Sequence, residues 1–158
     1  MKTKAIILTL LLALLVSGTA FAAKPVIKSD RSYFDINTGL YVLSGNVVIQ
    51  VNNRTITAGQ AKVSMASLEV WGTGGITVTQ GDIYFTGESV YVFGSEERAK
   101  IDGGVCFKRS DLTVTADRAE YSWDTKLAVF DGNVKITQNS NVTSTDKITY
   151  NLRTNAFQ

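Results

Sequence analysis

Gly45-Asn46-Val47-Val48-Ile49 recurs as Gly74-Gly75-Ile76-Thr77-Val78, Gly103-Gly104-Val105-Cys106-Phe107 and Gly132-Asn133-Val134-Lys135-Ile136, each first glycine 29 residues after the one before. A fixed period of this length marks an array of units that bury one another's apolar faces, because none buries a core alone. Residues alternate after the glycines. Val47, Ile76, Val105 and Val134 share one face with Ile49, Val78, Phe107 and Ile136, while Val48, Thr77, Cys106 and Lys135 share the other. Alternation of this kind predicts a half-buried β-strand. The same phase carries back through Leu43, Ile101 and Phe130, so each strand reaches about ten residues, or roughly 30 Å.

A second strand recurs after a polar turn: Thr57-Ala58-Gly59-Gln60-Ala61, Phe85-Thr86-Gly87-Glu88-Ser89, Thr115-Ala116-Asp117-Arg118-Ala119 and Ser144-Thr145-Asp146-Lys147-Ile148. Val63, Tyr91, Tyr121 and Tyr150 take the next matching place, with Met65, Phe93, Trp123 and Leu152 two residues on. Ala58 and Ala61 are three apart, which breaks strict alternation, so the Gly or Asp between them is read as a bulge or corner. The pattern extends outward at both ends, where Phe34 to Leu40 and Tyr150 to Ala156 match Tyr121 to Leu127. The array therefore starts and stops in mid-unit, and unpaired end strands are templates for a further chain. No helical periodicity interrupts it, which predicts one all-β domain of eight or more strands.

Residues 1–22 have the layout of a secretory signal, with Lys2 and Lys4 before an apolar stretch from Ala5 to Val16 and a small-residue site at Ala20-Phe21-Ala22. Cleavage is expected after Ala22, followed by a lead over residues 23–31 and the repeat domain over 32–158. Of the 16 Lys and Arg, two lie in that leader, which leaves 14 against 14 Asp and Glu. A chain without basic excess is not expected to bind nucleic acid, whose affinity comes mainly from clustered cations. Cys106 is the one cysteine, so no internal disulfide contributes to stability.

A catalytic constellation is not found. The chain has no histidine, which removes Ser-His-Asp and Cys-His arrangements and the commonest zinc sets. Asp117 and Asp146 hold the turn slot that Gly59 and Gly87 fill in the other units, so backbone geometry accounts for them. Acidic pairs such as Glu96 and Glu97 are sequence neighbours whose side chains diverge on a strand. The expectation is a protein that is not an enzyme and uses no metal or cofactor.

The Gly-x-Val-x-Ile/Phe strand, the Thr115-Ala116-Asp117-Arg118-Ala119-Glu120-Tyr121 strand and the link Leu127-Ala128-Val129-Phe130-Asp131-Gly132-Asn133-Val134 resemble the OstA-like (organic solvent tolerance protein A-like) domain of periplasmic lipopolysaccharide transport. The resemblance runs from about Ser32 to Phe157. It implies an open, twisted β-jellyroll whose apolar interior takes up the acyl chains of lipid A. The implied lipid-binding positions are Val47, Ile49, Ile76, Val78, Val105, Phe107, Val134 and Ile136 of the first strands, with Tyr91, Phe93, Tyr121 and Trp123 of the second. It also implies that the partners are lipopolysaccharide, other OstA-like jellyrolls and copies of the chain itself, joined at edge strands. The residues alone also fit a different protein, an exported self-assembling parallel solenoid or filament without lipid cargo.

Overall fold

The structure, a computed structural model, describes residues 24–158; the expected signal segment lies outside the described residues. Its strands are β1 (Val26–Lys28), β2 (Arg31–Asp35), β3 (Leu40–Val51), β4 (Arg54–Ser64), β5 (Glu69–Gln80), β6 (Ile83–Phe93), β7 (Arg98–Arg109), β8 (Leu112–Ser122), β9 (Leu127–Gln138), β10 (Asn141–Asn151) and β11 (Ala156–Phe157). From β3 to β11 each strand pairs antiparallel with the next, and β1 and β2 share the outer edge of β3. Antiparallel pairing throughout replaces the parallel solenoid considered above. The sheet starts at Val26, inside the stretch read as a lead, because Val26, Ile27 and Lys28 find partners in Gln50, Ile49 and Val48.

Two kinds of turn join the strands. At one end the connections are two residues long, with positive φ at Asn52, Gly81, Ser110 and Asn139, the backbone that tight hairpins of twisted strands require. At the other end they are four residues long and finish on a left-handed residue: Gly39, Leu68, Glu97, Lys126 and Asn155. These longer turns also bond to one another. Gly94 N–H donates to Leu68 O, Trp123 N–H to Glu97 O, and Leu152 N–H to Lys126 O, each at 2.9 Å.

Every long strand changes register near its middle, at Gly45-Asn46, Ala58-Gly59, Gly74-Gly75, Gly87-Glu88, Gly103-Gly104, Ala116-Asp117, Gly132-Asn133 and Asp146. Both members of each pair on β3, β5, β7 and β9 have positive φ, a conformation open to Gly and tolerated by Asn. A line of bulges thus crosses the sheet, and bulges bend and twist the strands that carry them. The sheet folds over on this line. Phe85, Phe107 and Ile136 lie on one side of it, while Tyr121, Phe130 and Tyr150 lie on the other.

Contacts across the fold hold the two halves face to face. Phe85 meets Tyr121 at 5.7 Å between ring centroids, and Phe107 meets Phe130 at 5.5 Å and Tyr150 at 5.8 Å. The result is an open, twisted jellyroll made from one meander, with its core between the halves. Aromatic rings dominate the core towards β6–β10, whereas Ala58, Ala61, Val63, Leu43 and Ile56 fill it towards β3 and β4.

Candidate functional site

The positions expected to face inward on the first strands do so. Val47, Ile49, Ile76, Val78, Val105, Phe107, Val134 and Ile136 are all buried, with exposures from 0% to 8%. Tyr121 is buried beside them, its hydroxyl donating to Gln80 Oε1 at 3.3 Å. Burial raises its phenol pKa. Trp123 is half-buried in the turn after β8 and packs on the core, with the Arg54 guanidinium 3.9 Å above its ring. Arg54 is half-buried there, and its burial lowers the guanidinium pKa.

Tyr91 and Phe93 are placed otherwise: they lie on the outer face, and Val90 and Val92 take the inner places. The reason is a register slip of one residue. Matching Gly87 to Gly59 by identity shortens that spacing to 28 residues, whereas the bulges put Gly87 level with Ala58, and Glu88 level with Gly59, Asp117 and Asp146. A slip of one residue moves every side chain to the other face. On that face Tyr91 stacks on Trp71 at 5.0 Å and Phe93 sits beneath the Arg98 guanidinium at 4.0 Å. The Tyr91 hydroxyl donates to Glu69 at 2.6 Å, and this bond raises the tyrosine pKa. Bonds from Ser67, then Tyr91, hold the Glu69 pKa low.

The two ends of the interior differ. Towards β10, Leu152 covers the core from its turn, and Arg109 ties that turn down through bonds to Leu152 O at 2.6 Å, Asn155 Oδ1 at 2.7 Å and Asp82 at 2.7 Å. Towards β2, the corresponding turns supply Ile36 and Met65, which are 83% and 42% exposed, and then Gly94, which has no side chain to offer. Phe34 and Tyr41, paired across β2 and β3 with rings 5.0 Å apart, are also exposed there. An adjoining cleft of about 460 Å³ is lined by Ile27, Lys28, Ser29, Ser32, Tyr41, Leu43 and Met65, within the ~300–1,000 Å³ common for ligand sites. The apolar interior is therefore open at its β2 end and shut at its β10 end. No sequence signal selected Phe34, Ile36 or Met65 for this role, beyond their inward phase at the start of the array.

The Asp82–Arg109 pair lends the closed end a pH dependence. The Arg109 bond lowers the Asp82 pKa, so between that folded value and the ordinary aspartate value near ~4 the unfolded chain binds more protons. The contribution is complete above the ordinary value and is lost as pH falls through the folded one. Asp131, held low by Arg118 and then Lys147, acts with the same sign. In urea titrations from pH 6 to pH 2, the midpoint difference between wild type and Asp82→Asn is expected to shrink towards zero. A difference independent of pH would remove the ion pair from the account.

Among the described residues no group of acids and Cys is arranged to hold a metal, and no helix is long and apolar enough to cross a membrane. The site is a surface of apolar area, not of reacting groups. No curated protein matches the chain. Among solved structures, the crystal structure of LptH from Pseudomonas aeruginosa, described as the LptA homologous periplasmic component of the conserved lipopolysaccharide transport device, aligns at 13% identity and a TM-score of 0.38, covering 86% of this chain and 81% of that one. The family model described as "LptA/(LptD N-terminal domain) LPS transport protein" matches residues 26–156. The chain belongs to this family of lipopolysaccharide-transport domains.

Proposed function

We propose that the protein works in the periplasm as a lipopolysaccharide carrier, taking lipid A acyl chains into its apolar interior through the open β2 end. One observation carries this reading: the inner face continues past the sealed core into uncovered Phe34, Ile36, Tyr41 and Met65. Burying an acyl chain is worth about 0.8 kcal/mol per CH₂, so a chain held by area alone needs no reacting group. The family supports the cargo class, since its members are lipopolysaccharide-transport proteins. Strand edges supply the second half of the proposal. Among the described residues the strands form one open sheet that is not closed into a barrel, and the edges of open sheets recruit further strands. The domain joins others of its kind edge to edge, forming a conduit towards the outer membrane.

Photo-crosslinking residues placed at Met65 or Phe34 are expected to capture lipopolysaccharide in cells, while the same residue at outward Tyr91, Phe93 or Lys108 captures little. Equal labelling of both faces would overturn the carrier reading. Light scattering of the purified protein with and without lipopolysaccharide separates it from a cargo-free filament, which would assemble regardless of lipid.

A further inference from the structure

On the outer face, four groups form a stack that runs across the sheet from β7 to β5. The Arg98 guanidinium lies 4.0 Å from the centre of the Phe93 ring, Phe93 lies 3.8 Å from Tyr91, and Tyr91 lies 5.0 Å from Trp71 with the planes 19° apart. Two of these groups are also tied from the side. Arg98 pairs with Glu96 at 2.6 Å, and the Tyr91 hydroxyl donates to Glu69, which accepts from Ser67 at 2.6 Å as well. The Trp71 indole is thus held in one orientation, and Tyr91 covers one of its two faces.

The other face looks onto a cleft of about 570 Å³ over β3, β4 and β5. Its lining includes Val42, Ser44, Gln60, Lys62, Trp71 and Thr73 but no residue of β6, so it lies on the side of Trp71 away from Tyr91. Val42 gives it an apolar floor. Ser44, Gln60 and Thr73 set two hydroxyls and an amide around that floor. Lys62, exposed and level with Trp71, forms no ion pair among the described residues, while the nearby acids Glu69 and Glu120 are engaged by Tyr91 and Arg98.

We propose that this cleft binds an acidic sugar, a pyranose carrying a carboxylate or a phosphate. The open indole face receives the apolar C–H face of the sugar ring, and the hydroxyls and the amide exchange hydrogen bonds with its OH groups. The Lys62 ammonium attracts the acidic substituent. An acyl chain fits poorly, because covering Lys62 and three polar groups without partners costs more than the small apolar floor returns. The site lies on the face opposite the apolar interior and stands independently of the carrier reading. Two sources offer its chemistry, the saccharide of lipopolysaccharide and the glycan of the cell wall.

Calorimetric titration of the purified protein with three probes tests the site: the lipid-free oligosaccharide of lipopolysaccharide, a cell-wall disaccharide with a free lactyl carboxylate, and neutral maltotetraose. At least one acidic probe is expected to bind, more tightly than maltotetraose and less tightly as salt is added. Trp71→Ala should weaken that binding about tenfold, and Lys62→Gln about two- to fivefold, down to the affinity for maltotetraose. Tyr84→Ala, exposed on the same face but outside the cleft, should leave it unchanged. Lys62 is exposed, so Lys62→Gln decides the matter if Trp71→Ala lowers the urea midpoint. Binding by the first probe alone upholds the site with lipopolysaccharide as its source, and binding by the second alone upholds it with the wall glycan. No binding by either acidic probe, equal affinity for maltotetraose, or unchanged binding by a folded Trp71→Ala or by Lys62→Gln would overturn it.

Discussion

Phe107→Ala is expected to lower the unfolding free energy by about 3–5 kcal/mol, the usual range for truncating a fully buried phenylalanine. Phe107 has no exposed surface, and its ring is 4.8 Å from Phe85 on the neighbouring strand. It also reaches Phe130 and Tyr150 on the opposite half. Because the lining comes from both halves, the cavity collapses only if the jellyroll refolds about its bulge line, so most of the cavity cost persists. A loss of this size is a large share of the ~5–15 kcal/mol that holds ordinary domains together. Urea unfolding followed by the fluorescence of Trp71 and Trp123 measures it. Phe93→Ala, on the outer face, is the control and is expected to change the midpoint far less. A loss at Phe107 below about 1 kcal/mol, the usual scale of a tolerated core swap, would mean that the interior gapes along its whole length.

The contrast between Phe107 and Phe34 divides the interior by function. Both belong to the inner face, yet one is sealed by four strands of neighbours while the other has lost them at the β2 end. The carrier proposed above needs both conditions. The packed aromatic end gives a small open sheet the stability that no disulfide supplies, and the uncovered end leaves apolar area for the proposed cargo to bury. Arg109 keeps the packed end closed, because its bonds to Asp82, Leu152 and Asn155 hold the last turn down.

Much of this was legible in the sequence, for a physical reason. Side-chain direction on a strand has period two, so the phase after each glycine pair placed eight core residues on the correct face. The glycines also marked the bends, because few other residues take positive φ there. Tyr91 and Phe93 were misplaced by the same logic: with period two, matching Gly87 to Gly59 instead of to Ala58 reverses the face. The open end was not legible. Exposure at Phe34 and Met65 depends on which neighbours are missing from the folded array, and the Arg109 closure joins residues 43 and 46 apart in sequence. The hydrogen bond from the Asn46 amide to the Asp30 carboxylate was hidden for a related reason, since both look like turn residues until β2 and β3 are paired.

Gly132→Val is expected to destabilise the protein by about 2–5 kcal/mol, combining left-handed backbone strain with overpacking. Its φ is +83°, and a Cβ there meets the Asp117 side chain, which is already held by the Asn133 amide. The carboxylate can move only by giving up that bond, so neither contribution is cheaply relieved. Gly104→Asn tests the same line in the opposite direction. Gly104 has φ +64° with nothing within 4 Å of a built Cβ, and its counterparts Asn46 and Asn133 adopt φ +48°. Asparagine is therefore suited to this backbone and meets no neighbour at its Cβ. The expected change is within about 0.5 kcal/mol of zero. Chemical denaturation of the two variants side by side separates the causes. If Gly132→Val is also near neutral, the bulge line is a soft hinge and the close approach of Gly132 to Asp117 does not set it. If both variants unfold the protein, positive φ alone is limiting along this line.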